Sequence, residues 1–177
     1  MGWQTCPYIF PLLLTAVLAL LMAWMAWKQR GTRHTTFISS LMVGVALWSF
    51  GCAMVYTVTD MTAWHLWTLV AYLGILSVPT VWFVYALRLV GLDHLFRWPY
   101  WLLLLIEPVL AFTALLTDPI HHLFYARLDP FFTPGGWMDV TIHHGPLFFA
   151  NAVYTYLLVV IGTALLARAL LKQPRSY

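Results

Sequence analysis

Five apolar runs, each long enough to cross a membrane as a helix, constrain this chain more than any other feature. They cover residues 8–27, 37–57, 63–90, 98–116 and 146–167. A helical crossing takes about 17–25 residues, and only the third run exceeds that. The runs are apolar on every side, whereas a membrane barrel would alternate over segments of about ten residues. Lipid offers no partner to a free backbone group, so each run is expected to be a helix. Composition excludes the alternatives. Of 177 residues, 62% are apolar and 8% charged, with a mean hydropathy of +0.81. Soluble domains are about 25% charged, disordered chains are polar and charged, and two cysteines cannot staple a chain of this size. The expected fold class is all-α: a polytopic transmembrane helical bundle of five spans occupying 1–177 as one module.

The third run would extend about 42 Å as a helix. It must tilt, kink or project past the lipid, and Pro79 near its middle is the expected kink. The connections 28–36, 58–62 and 91–97 are short. The connection 117–145 is long and rich in Pro, Gly, His and Asp, and loops of that length usually carry function or their own structure. Within it, His122–Leu128 and Gly136–His143 carry strand-favouring residues around Pro134-Gly135-Gly136, a turn signal, so a short hairpin is expected.

Alternating spans put Lys28, Arg30, Arg33, Arg88, Arg97, Arg168, Lys172 and Arg175 on one side, leaving Arg127 alone among the nine basic residues on the other. Asp60, Asp118, Asp129 and Asp139 fall opposite the basic side. Positive residues stay in the cytoplasm, which puts the N-terminus and the long loop outside and the C-terminus inside. No positive segment precedes the first run, so it makes a poor secretory signal. Trp3, Trp24, Trp27, Trp64, Trp67, Trp98 and Trp101 fall near span ends, as an aromatic belt does.

Candidate chemistry is sparse. Glu107 lies about 13 Å along the fourth helix, near the midplane. An ionised carboxylate there costs about 2.5–3.5 kcal/mol, so Glu107 must face protein or water or carry a proton. It reads as a binding or proton-sensing group, or as a packing residue beside Pro108, which frees a backbone carbonyl. The loop histidines, His121–His122 and His143–His144, suit pH or ligand sensing, or simply loop hydrogen bonding. Adjacent histidines point apart, which argues against a shared metal. Asn151, Tyr154 and Tyr156 with Tyr72 and Thr68 share a depth, so they line an outward cavity or bond between helices. Cys6 and Cys52 are expected as thiols. No phosphate loop, paired-Cys zinc site or nucleophile elbow occurs, and the basic residues form no nucleic-acid stripe. No catalytic residue, metal or cofactor is expected.

Several segments taken in order resemble a known family. They are Tyr72-Leu73-Gly74-Ile75 with Pro79, Trp82-Phe83 and Tyr85-Ala86-Leu87; the run Thr117-Asp118-Pro119-Ile120-His121-His122-Leu123-Phe124-Tyr125; and His144-Gly145-Pro146-Leu147-Phe148-Phe149 followed by Tyr154-Thr155-Tyr156. Leu47-Trp48 and Pro108 fit the second and fourth helices. From about residue 10 onward the chain is similar to the seven-helix N-terminal sensor region of membrane histidine kinases, a module that also precedes diguanylate cyclases. Asp118 stands where that family usually has Asn. Five spans stand where it has seven, and 174–177 resembles the basic turn before its sixth helix, so the chain is expected to be truncated after the fifth.

The resemblance implies a sensory input module in a bacterial or archaeal plasma membrane. Its partners would be the lipid bilayer and a cytoplasmic kinase or cyclase output domain. Kinase coupling would imply a homodimer, though no residue pattern encodes one. The candidate stimulus residues are Glu107, His121, His122, His144, Asn151, Tyr154 and Tyr72. The alternative is a small proton- or ion-coupled transporter using Glu107.

Overall fold

A computed structural model describes residues 2–29, 33–92 and 98–172. Arg30, Arg97, Arg175 and the segment 174–177 lie outside the described residues. The elements are α1 (Ile9–Lys28), α2 (Arg33–Val55), α3 (Met61–Leu89), α4 (Trp98–Leu116), α5 (Asp118–His121), β1 (Tyr125–Phe132), β2 (Met138–His144) and α6 (Pro146–Lys172). Among the described residues, α1, α3, most of α2 (Thr35–Val55) and most of α6 (Pro146–Leu171) are long and apolar enough to cross a membrane, while Leu102–Leu116 of α4 is a shorter apolar helix.

The bundle is built around α3, which packs on α2, α4 and α6, while α1 lies outermost against α2. Small residues set these contacts. Ala16, Ala19 and Ala23 are the buried face of α1, and Ser39 Oγ donates across to Ala23 O at 3.0 Å. Between α2 and α3 the backbones nearly touch. A Cβ on Gly51 would stand 2.5 Å from Ala71 N, and one on Gly74 would stand 2.5 Å from Trp48 N. Side chains at either position would force the helices apart, and helices in lipid associate through such close packing.

Asp60 starts α3, with Oδ2 accepting the Ala63 N–H at 3.0 Å, a carboxylate at the positive end of the helix dipole. The helix continues unbroken through Pro79. One face of its first turns is buried. Ala63, Trp64, Leu69 and Tyr72 join Val58, Phe124, Tyr125, Met138 and Val140 in one buried cluster beneath the hairpin. Trp64 is therefore a core residue and not part of an aromatic belt. Trp24 does keep a peripheral role, with Lys28 Nζ 3.9 Å above its ring.

The expected hairpin is present, with its strands displaced toward the C-terminus. The chain first makes the single turn α5, and His122 then takes a left-handed conformation at φ 53°. Only after that does the backbone extend, so β1 runs to Phe132 and β2 starts at Met138. The strands pair antiparallel, with a bulge between Tyr125 and Arg127. Pro130 sits inside β1 opposite Val140. Gln4 accepts the Met138 N–H at 2.6 Å and donates to Met138 O at 2.8 Å, so even-numbered β2 residues point their amides away from β1. Pro130 therefore faces a position where no ladder bond is due. Gln4 also ties β2 to the end of α2 through Tyr56 O, and Trp3 bridges Val58. The N-terminal segment, the α2–α3 turn and the hairpin thus share one end of the bundle. Lys28, Arg88 and Arg168 lie toward the other.

Replacing Gly74 with Val should cost about 1–3 kcal/mol through overpacking, read as a lower unfolding midpoint in detergent. Leu103→Val, on the exposed face of α4, should leave the midpoint within about 0.5 kcal/mol of wild type.

Candidate functional site

The hairpin is fastened to the helices at one point. As the chain leaves α5 it turns inward, and the amides of Phe124 and Tyr125 point at Asp118. Oδ1 accepts from Phe124 N at 2.8 Å and Tyr125 N at 3.2 Å, and Oδ2 stands 3.2 Å from Tyr125 N. Asp118 is 3% exposed. It continues directly from α4, so the carboxylate fixes the hairpin to that helix. Phe124 is fully buried. Its ring meets Tyr72 of α3 edge-on at 5.3 Å and Phe148 of α6 at 5.9 Å. Two spanning-length helices, α3 and α6, and the hairpin therefore converge on one side chain.

His121 serves the same turn. Its Nδ1 accepts the Leu123 N–H at 3.0 Å, which leaves the proton on Nε2, 3.0 Å from Thr117 Oγ1. That hydroxyl in turn donates to Thr113 O at 2.8 Å. His121 is thus a hydrogen-bonding element of the connection. His122 stands apart, exposed, in its left-handed position. His143 Nε2 reaches Asp129 Oδ2 at 3.4 Å on the exposed face. His144 stacks on Phe148 at 3.7 Å and 12°. Partial desolvation against Phe148 holds its pKa below the ordinary histidine value, although the residue as a whole is exposed, and neighbouring His143 adds to the effect.

A second cluster joins α4 to α6. Asn151 Nδ2 donates to Glu107 Oε1 at 2.8 Å. Pro108 removes the N–H that would have bonded Leu104 O, and Tyr154 fills the gap, its hydroxyl donating to that carbonyl at 2.9 Å. Glu107 Oε2 is buried without a protein partner among the described residues. Glu107 also lines a cavity of about 400 Å³ between α4 and the start of α6, with Thr117, Leu147 and Ala150.

The expected shared cavity therefore resolves into two places. Glu107, Asn151 and Tyr154 meet at the α4–α6 interface. Tyr72, Thr68 and His144 line a separate cavity beneath β2. Tyr156 is 70% exposed and joins neither. Cys6 and Cys52 are free thiols. Sequence reasoning passed over Gln4 and His65, and it noted Asp118 without its role. His65 Nε2 is buried without a partner among the described residues. Asp118 carried one available signal, a carboxylate set just before a proline and an inward-turning aromatic pair.

Spanning-length helices packed around α3 and capped by a hairpin sewn to their ends are the architecture of an integral membrane bundle. The family model of the N-terminal 7TM region of histidine kinase matches residues 11–177, and the chain belongs to that family. It is accordingly a sensory input region of histidine kinases, multi-pass in the membrane, and not itself the catalytic domain. Comparison with curated proteins and with solved structures gave no match.

Two outcomes test this geometry. Asp118→Ala strands two buried N–H groups and should cost about 2–3 kcal/mol. Asp118→Asn, whose carbonyl oxygen still accepts, should cost less. Amide exchange at Phe124 and Tyr125 reads both. For His144 the folded pKa is lowered, so its contribution to stability is complete above the unfolded value of about 6.5 and is lost as pH falls through the folded value. Hairpin protection factors, corrected for the intrinsic pH dependence of exchange, should fall as pH drops below that unfolded value. His144→Phe, which keeps the stack, should remove that part of the dependence.

Proposed function

We propose that this module receives its stimulus at the hairpin end, on the outer face of the membrane. It would pass the change through the packing of α3, α4 and α6 to a cytoplasmic kinase output domain. The observation that carries this reading is Phe124, buried at the meeting point of the hairpin, Tyr72 and Phe148 and held by Asp118. A stimulus that displaces the hairpin cannot leave that ring in place, and moving it unseats one helix from another. The sorting of basic residues supports an outer hairpin with the C-terminus inside. The length of α4, about 28 Å over its 19 residues, supports a fifth crossing. His121 and His122 act here by shaping the turn, and His144 by its stack on Phe148.

The Glu107–Asn151 pair supports a second element of the same reading. A bond between α4 and α6, beside an unfilled carboxyl valence, is a contact that a relative shift of the two helices would make or break. The unpartnered Oε2 also favours the alternative of a proton-coupled transporter.

Two experiments test these readings. In cells, with Cys6 and Cys52 replaced by Ser, an impermeant maleimide should label Phe132→Cys at the exposed hairpin tip. It should miss Gln29→Cys at the end of α1, and the reverse pattern would invert the orientation. In a full-length kinase carrying this region, Phe124→Ala and Asp118→Ala should shift basal autophosphorylation severalfold at unchanged membrane level. Glu107→Gln should alter signalling while keeping the Asn151 bond. Normal output from all three would remove the junction from the signalling path, and a proton flux in vesicles abolished by Glu107→Gln would favour the transporter.

A further inference from the structure

Beneath the outer edge of β2 lies a cavity of about 250 Å³ that the junction does not use. Its wall carries four aromatic side chains from three parts of the chain: Tyr56 after α2, Trp64 and Tyr72 from α3, and Tyr125 from β1. They are not stacked on one another. Trp64 and Tyr125 are inclined by 61° with centroids 6.1 Å apart, so the rings approach the space from different directions. Thr68, on the same wall, spends its hydroxyl on the Trp64 backbone carbonyl.

The charge balance at the rim has one sign. Of the acidic side chains at this end, Asp60 caps α3, Asp118 holds the turn, and Asp129 pairs with Arg127 at 2.6 Å. Asp139 is left at the cavity. Its Oδ1 takes the Val140 N–H at 2.8 Å, which turns the carboxylate toward the open edge of β2. Among the described residues no Lys or Arg lines this space, and its one imidazole, His144, is stacked on Phe148 with its pKa held below the ordinary value. Inclined aromatic faces with an adjacent unneutralised carboxylate are the environment that attracts an alkylated ammonium group. The volume falls just below the usual range of drug-sized ligand pockets, about 300–1,000 Å³, which suits a small ion.

We propose that this cavity binds a small organic cation of the alkylammonium class, its charge shared between Asp139 and the rings of Tyr56, Trp64, Tyr72 and Tyr125. The same chemistry is offered by a free ion and by the choline headgroup of a lipid. The binding site stands on the geometry alone; its signalling consequence rests on the reading of this end as the input.

The 177-residue chain in phosphatidylglycerol nanodiscs, titrated calorimetrically with tetramethylammonium chloride, should show saturable millimolar binding. Neopentyl alcohol, a neutral molecule of similar shape, should bind at least tenfold more weakly, and Asp139→Asn should weaken tetramethylammonium at least tenfold. Phosphatidylcholine nanodiscs that abolish the titration would identify the headgroup as the source, and an unchanged titration would identify the free ion. Equal binding of the alcohol, indifference to Asp139→Asn, or no saturable heat in the phosphatidylglycerol discs would overturn the site. In the full kinase, binding without a change in autophosphorylation would keep the site and remove this end as the input. An absence of binding together with altered output from Phe124→Ala would remove the site and keep the input.

Discussion

Where the chain leaves α5, two consecutive backbone amides point away from solvent, and a single carboxylate receives both. Without Asp118 the turn would strand those donors inside a buried cluster made of Phe124, Tyr125, Trp64 and Tyr72. An unmet buried donor costs about 1–3 kcal/mol, enough to favour another path for the chain. The rest of the hairpin end follows from this contact. It points Phe124 inward between α3 and α6, sets Tyr125 against Trp64, and starts β1 in the register that brings Met138 to Gln4.

The same logic recurs through the bundle in other hands. Helices apolar on every side gain little by facing one another in lipid, so close packing and directed polar bonds must choose their arrangement. Ser39 reaches from α2 to a carbonyl of α1. Tyr154 reaches from α6 to the carbonyl that Pro108 leaves open on α4, and Asn151 meets Glu107 three residues away. Pro108 gives α6 something specific to hold. Gly51 and Gly74 contribute by absence, letting backbone meet backbone where any side chain would fix a wider spacing.

Much of the architecture was legible because lipid imposes a simple length rule. The predicted runs coincide with the helices to within two residues at most ends, and the fourth, 98–116, coincides fully. The misses lie where a helix continues past its apolar part: α2 begins at Arg33 and α6 reaches Lys172, since polar residues extend a helix as readily as apolar ones once outside the lipid. In the hairpin, strand propensity placed the first strand too early, because it gave no weight to Pro119 at the start of a helical turn. Trp64 looked like a belt residue because position alone was read, while its burial depends on a strand some sixty residues further on. Glu107 and Asn151 were each legible as polar residues in apolar helices. Their pairing was not, because nothing in one sequence tells which faces of two distant helices meet.

An input region must hold two arrangements close enough in free energy for a stimulus to choose between them. Moving a population from one part in a hundred to ninety-nine takes about 5.5 kcal/mol of differential binding, more than one exposed contact supplies. If the hairpin end is the input, it would answer this by concentrating its contacts. A displacement that breaks the Asp118 bonds also withdraws Phe124 from Tyr72 and Phe148, and withdrawing one buried aromatic ring is worth about 1.5–3 kcal/mol by itself. Contacts that fail together behave as a single switch, so modest binding at the cavity edge would be opposed by one cooperative unit instead of being dissipated among many soft ones. The bond between Glu107 and Asn151 then lies along the helices that must slide if that unit gives way. A polar pair at that depth would keep such sliding from stopping part-way, because an intermediate position would break the bond between Asn151 and Glu107.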